Sequence, residues 1–132
     1  LKKRYFQIAG AAIAALSVAG IAVAGTLADS QSRLKIGQEA LAGADAEKAI
    51  KYCEAAVLGL PYEPSAEGDL LTADGTECQA KGLFAQGKHQ EGCDLISPVI
   101  DMMGVSAAPN KAEVVTRLKG VLDAEVAAKR CK

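Results

Sequence analysis

The chain has 132 residues, 50% of them hydrophobic, with 4% aromatic residues and no tryptophan. That length suits one ordinary domain, and apolar content drawn mainly from Ala, Val, Leu and Ile favours helices over a β-sandwich. A net charge of −1 and a single histidine give no electrostatic reason to bind nucleic acid and leave multi-histidine metal sites and most triads without residues.

The charge is unevenly spread. Lys2, Lys3 and Arg4 come first, and no charged residue appears again until Asp29. Residues 29–132 hold 12 basic and 16 acidic residues, a net −4. A helix over residues 8–28, rising roughly 1.5 Å per residue, would span about 30 Å, the thickness of a bilayer core. Basic residues before the run and acidic ones after it predict a cytoplasmic N-terminus, with the remainder on the periplasmic side of a bacterial inner membrane. Ala11, Ala15, Ala19 and Ala22 share one helical face, and Gly10/Ala14 and Gly20/Ala24 have small-xxx-small spacing. Such a face lets a neighbouring helix approach closely in lipid. The alternative is a secretory signal cleaved after Ala22-Val23-Ala24 or after Thr26-Leu27-Ala28. The leading expectation is a retained anchor, residues 1–28, followed by an exported helical domain, residues 29–132.

Beyond a polar juncture at residues 29–32, a first helix is predicted over 33–43, with Gly43 as its stop. Asp45 caps a second through about Leu58, closed by Gly59 and Pro61. Ala49, Ile50, Cys53, Ala56, Val57 and Leu60 form its apolar stripe. Residues 61–68 carry loop signals throughout. A third helix is predicted from near Leu70 or Asp74 to Gln86, with Gly87 as breaker. A fourth runs from about Lys88 to Met103 with Pro98 inside, which predicts a kink or distortion. Gly104 and Pro109 bracket the next loop, and Asn110 caps a last helix with Val114, Val115, Leu118, Val121, Leu122, Val126 and Ala127 on its buried side. The expected fold is all-α, with about five helices behind the anchor.

Residues 36–61 resemble a tetratricopeptide repeat. Gly37 takes the position of the family's first-helix glycine, Ala49 and Ala56 those of its second-helix small residues, and Pro61 that of its terminal proline. A weaker copy covers about residues 80–104, with Gly87 at the turn and Gly92 where Ala49 stood; Pro98 and Gly104 depart from the pattern. The two copies are offset by 43 residues against a family period of about 34, so the loop around residues 61–70 would be an insertion and the last helix a cap. The resemblance implies stacked helical hairpins and partner binding rather than catalysis.

Cys53, Cys78, Cys93 and Cys131 all lie beyond the apolar run, and an even count in a small exported domain predicts two disulfides. Antiparallel packing of the second and third helices would bring Cys53 level with Cys78, which leaves Cys93 for Cys131; Cys78–Cys93 is the competing pair. A straight last helix would carry Cys131 well past Cys93, so the first arrangement needs a bend at Gly120 or an unwound end. No CxxC spacing is present, which argues against a redox motif, a zinc knuckle and haem attachment. His89, among Lys88, Gln90 and Glu91, reads as a solvated surface residue. Glu63, Glu67, Asp69, Asp74 and Glu77 lack the ligand spacing of a calcium loop and read as a solvated flexible segment. No nucleotide-binding loop, nucleophile elbow or metalloprotease motif occurs.

These features predict a non-enzymatic, single-pass membrane accessory subunit whose partners are other subunits of a membrane complex and the lipid bilayer, with no cofactor, metal or small-molecule substrate. The alternative is a soluble exported helical binding protein. The candidate docking surfaces are the groove lined by Leu41 and the first helix, and the apolar edge of the last helix.

Overall fold

The computed structural model describes residues 25–132. Five helices make up this part: α1 (Leu27–Ala42), α2 (Ala46–Leu58), α3 (Ala66–Ala85), α4 (His89–Gly104) and α5 (Lys111–Ala127). There is no strand among the described residues, so the all-α expectation holds. None of these helices is long and apolar enough to cross a membrane. Ala11, Ala15, Ala19 and Ala22, with the rest of the expected anchor up to residue 24, lie outside the described residues.

The start of α1 corrects the expected membrane helix at its C-terminal end. Thr26 is extended (φ −90°, ψ 162°), its hydroxyl accepts from the Asp29 amide, and the Asp29 carboxylate accepts from the Thr26 amide. This reciprocal capping box starts α1 at Leu27, so a single helix cannot run unbroken over residues 8–28. Leu27 and Ala28 belong to α1, and so does the stretch 29–32 that reads as a polar juncture. Ser30 there is fully buried.

The other boundaries reflect capping. Asp45 accepts from the Lys48 amide and starts α2, as its sequence predicts. Ser65 accepts from the Gly68 amide at 2.9 Å and starts α3 at Ala66, earlier than Leu70 or Asp74. The acidic stretch is therefore largely helix rather than flexible loop. Gly87, at φ +79°, turns the chain from α3 into α4. Asn110 stands at the start of α5 but makes no side-chain capping bond, contrary to expectation. α4 continues through Pro98, which is exposed.

α3 is the central element because it buries two faces. Leu71 and Cys78 join Leu34, Ala40, Ala49, Cys53 and Ala56 in a core shared with α1 and α2. Ala73 and Ala80 join Ile96, Met103, Ala108, Val114 and Leu118 in a second core shared with α4 and α5. The first core is rich in alanine, with three among its seven buried members, which requires close helix approach. A methyl group on Gly37 would collide with the Cys53 sulfur and stand 3.0 Å from the Cys53 backbone nitrogen.

One disulfide lies inside the first core and the other fastens the C-terminal tail. Cys53–Cys78 joins α2 to α3, and Cys93–Cys131 joins α4 to the C-terminal tail. This is the leading pairing expected from the sequence, and Cys78–Cys93 does not form. The difficulty over Cys131 is resolved by unwinding: α5 stops at Ala127, and Lys129 takes a left-handed conformation (φ 59°) that turns the tail back. α5 runs through Gly120 without interruption.

Candidate functional site

A cleft of about 500 Å³ opens between α1, α3 and α5, lined by Gln38, Leu41, Asp74, Glu77, Cys78, Lys81 and Arg117. Leu41 and its helix are the expected groove surface; the charged wall opposite was not anticipated. Asp74, Glu77 and Lys81 project from α3 because spacings of three and four residues fall on one helical face. Arg117 reaches across from α5, with its Nη2 at 2.6 Å from Asp74 Oδ1 and its Nε at 2.8 Å from Glu77 Oε1. Lys81 Nζ lies 2.8 Å from Glu77 Oε2.

Burial pushes the Glu77 carboxyl up, but Lys81 and Arg117 outweigh it and hold the group below the usual carboxylate range. Partial burial likewise works against the Arg117 charge, and Glu77 and Asp74 outweigh it. Every charged group lining the cleft thus has an opposite charge beside it. The lining contains no hydroxyl, imidazole or free thiol. The lining thus sets a mixed-charge, hydrogen-bonding wall opposite the apolar Leu41.

The second polar cluster ties down the C-terminus. Glu125 is buried, and it accepts a two-pronged contact from Arg130, at 2.7 Å from Nη2 and 3.2 Å from Nε. It also lies 2.8 Å from His89 Nδ1. The Arg130 hydrogen bond is the main influence holding the Glu125 carboxyl below its ordinary range; burial opposes it and His89 adds to it. His89 also stacks on Phe84, with ring centroids 5.8 Å apart. The solvated-surface expectation for His89 is therefore corrected, since it packs between an aromatic ring and a buried carboxylate. Cys93, Glu125 and Cys131 bring ligand-type atoms within 4.8 Å of one another, but both sulfurs are consumed in the disulfide.

The remaining acidic residues do not converge. Asp69 accepts a 2.6 Å hydrogen bond from Ser106, which fastens the α4–α5 loop to the start of α3. Glu63 and Glu67 are exposed. On α5, Val114 and Leu118 are buried and Val115, Val121 and Leu122 pack against the second core. Val126, 44% exposed, is what remains of the expected apolar edge. Arg117 and Glu125 were not singled out from sequence. The Asp74/Glu77/Lys81 spacing is the readable signal for the first, once that stretch is taken as helix.

Comparison with known protein families, with curated proteins and with solved structures finds no match for this chain.

Proposed function

We propose that the protein is a single-pass membrane accessory subunit whose exported helical domain docks onto a larger membrane complex through the α1–α3–α5 cleft. The observation that carries this reading is the combination, in one chain, of a basic start and an uncharged run with a helical domain held by two disulfides. Two disulfides favour an oxidising compartment, and the charge order favours export of the chain beyond the run. The hairpin arrangement and the close approach at Gly37 support the tetratricopeptide-like reading. In that reading the first, third and fifth helices line a binding groove, and the mixed-charge wall selects a peptide or helix with complementary charges.

The test is recovery of companion subunits from native membranes in mild detergent. Arg117→Glu, which sets a third acid beside Asp74 and Glu77, should lose those companions while keeping the helical circular dichroism. Gln38→Glu, a smaller change on the opposite wall, should weaken retention in the same direction. Full retention by both variants overturns docking through this cleft.

A second reading has its own support. Gly25 donates a 2.8 Å hydrogen bond to the Gly59 carbonyl, so the residue directly after Ala22-Val23-Ala24, one of the two signal-cleavage sequences, already contacts the helical domain. Cleavage there would release an intact domain, a soluble exported binding protein. Cleavage after Ala28 would remove the Thr26 cap and the first residues of α1. The N-terminal sequence of protein purified from cells decides between anchor and signal: Gly25 as first residue selects the signal.

A further inference from the structure

The most exposed apolar side chains of the domain gather at one of its ends. The described helices and loops carry five exposed large hydrophobic residues, and the three most exposed are Val105 at 86%, Tyr62 at 85% and Leu58 at 73%. All three belong to the same end. The Gly25–Gly59 hydrogen bond joins the start of α1 to the end of α2. Residues 59–65 lead directly from there into α3. The Ser106–Asp69 hydrogen bond brings the end of α4 to the start of α3. Leu58, Tyr62 and Val105 therefore gather at the end where residues 1–24 join the domain. At the opposite end, the turns at 43–45 and 86–88 and the tail at 128–132 carry Asp45, Lys88, Lys129, Arg130 and Lys132.

We propose that this end rests on the bilayer surface, with Tyr62 and Leu58 at the α2–α3 connection and Val105 on the α4–α5 loop seated in the headgroup region. The proposal rests on the retained-anchor reading. On that reading the uncharged segment that leads into Gly25 holds the adjoining end of the domain close to the lipid. At that depth, exposed Leu and Val side chains leave water, and a tyrosine ring sits with its apolar body inward and its hydroxyl in the headgroups. Pro61 and Pro64 restrict the loop that presents Tyr62, so little ordering is needed on contact. Glu63 and Glu67 are exposed beside these residues and would be repelled by acidic lipid, which makes a zwitterionic surface the occupant. Docking end-on leaves the α1–α3–α5 cleft, on the side of the helices, open to a partner in the same membrane.

The chain has no tryptophan, so one introduced indole reports its own surroundings. Full-length protein carrying Tyr62→Trp, Val105→Trp or Lys88→Trp is reconstituted into phosphatidylcholine vesicles whose acyl chains are brominated close to the headgroup, and flotation after an alkaline wash is scored in parallel. The indoles at positions 62 and 105 should shift to the blue and lose most of their emission to bromine, while the one at 88 keeps its emission. Protein that floats but shows equal, weak quenching at all three positions overturns the surface contact and leaves the anchor standing. Protein that fails to float removes the anchor reading, and the inference falls with it.

Discussion

Thr26 and Ser30 stand one turn apart at the start of α1, and their hydroxyls have opposite consequences. Thr26 satisfies an amide that has no helical partner, so Thr26→Ala should cost about 0.5–2 kcal/mol in chemical denaturation. Ser30 is fully buried, and its Oγ has no hydrogen-bond partner among the described residues. Burying an unpaired hydroxyl is unfavourable, so Ser30→Ala should leave stability unchanged or raise it by up to about 1 kcal/mol. A clear loss on Ser30→Ala would mean that this hydroxyl has a partner. Glu125 shows how one buried charge imposes a pH dependence. Its carboxyl lies below the ordinary range in the folded protein, chiefly through Arg130. A depressed folded pKa gives stability that is present above the unfolded value, about 4.3 for glutamate, and is lost as pH falls through the folded pKa. Glu77 acts in the same direction. Urea midpoints should therefore fall steeply below about pH 4, and Glu125→Gln should flatten that slope while lowering the midpoint at neutral pH. An unchanged slope would assign the acid sensitivity to other groups.

Among the elements, helix–helix spacing depends on particular small residues, and glycines in similar helical settings are not equivalent. Gly37 faces Cys53 with no room for a methyl group, whereas a methyl on Gly120 would meet nothing within 4 Å. Alanine has the higher helix propensity at both positions, yet Gly37→Ala should destabilise by about 1–3 kcal/mol through overpacking and Gly120→Ala should stabilise by about 0.5–1 kcal/mol. Thermal midpoints of the two variants, measured side by side, check this opposition; a gain at both positions would mean that α1 and α2 can separate freely. The same local physics decides what is legible in the sequence. The bounds of α2 are legible because Asp45 and Gly59 mark its two ends and its apolar stripe lies on one face. The start of α3 is not, because Ser65 is followed by small and acidic residues, a composition shared by loops and first helical turns. Its periodicity is also blurred, since Leu71 and Cys78 point to one core and Ala73 and Ala80 to the other. Arg117 escapes notice for a related reason: its partners come from α3, and a contact between residues some 40 positions apart leaves no local trace. The disulfide pairing is legible because antiparallel packing of adjacent helices constrains Cys53 and Cys78, and the four cysteines then leave a single remainder.

For the molecule as a whole, stability divides between two cores of unequal substance, and the disulfides should matter unequally to match. The first core consists of two leucines, three alanines and the Cys53–Cys78 pair, while the second contains Ile96, Met103, Val114 and Leu118. Loop closure alone predicts similar contributions, about 3.5 kcal/mol for the 25-residue span and about 4 kcal/mol for the 38-residue span. Packing breaks the tie. Cys53 and Cys78 are buried inside the smaller core, so replacing both with alanine also removes two sulfurs from a cluster with little else to fill the space. The Cys93–Cys131 bond fastens a tail that Arg130 and Glu125 hold as well. The double substitution Cys53→Ala/Cys78→Ala should therefore lower Tm by about 15–25 °C, near the full loss that chain entropy and size scaling predict. Cys93→Ala/Cys131→Ala should cost less in Tm and should show its effect locally, as faster amide exchange in the tail and in the first turn of α4. Calorimetry and hydrogen exchange on the two variants separate these outcomes. If the Cys93–Cys131 variant melted at the lower temperature, stability would reside in the tail clamp rather than in the alanine-rich core, and the division of the molecule at α3 would have to be redrawn.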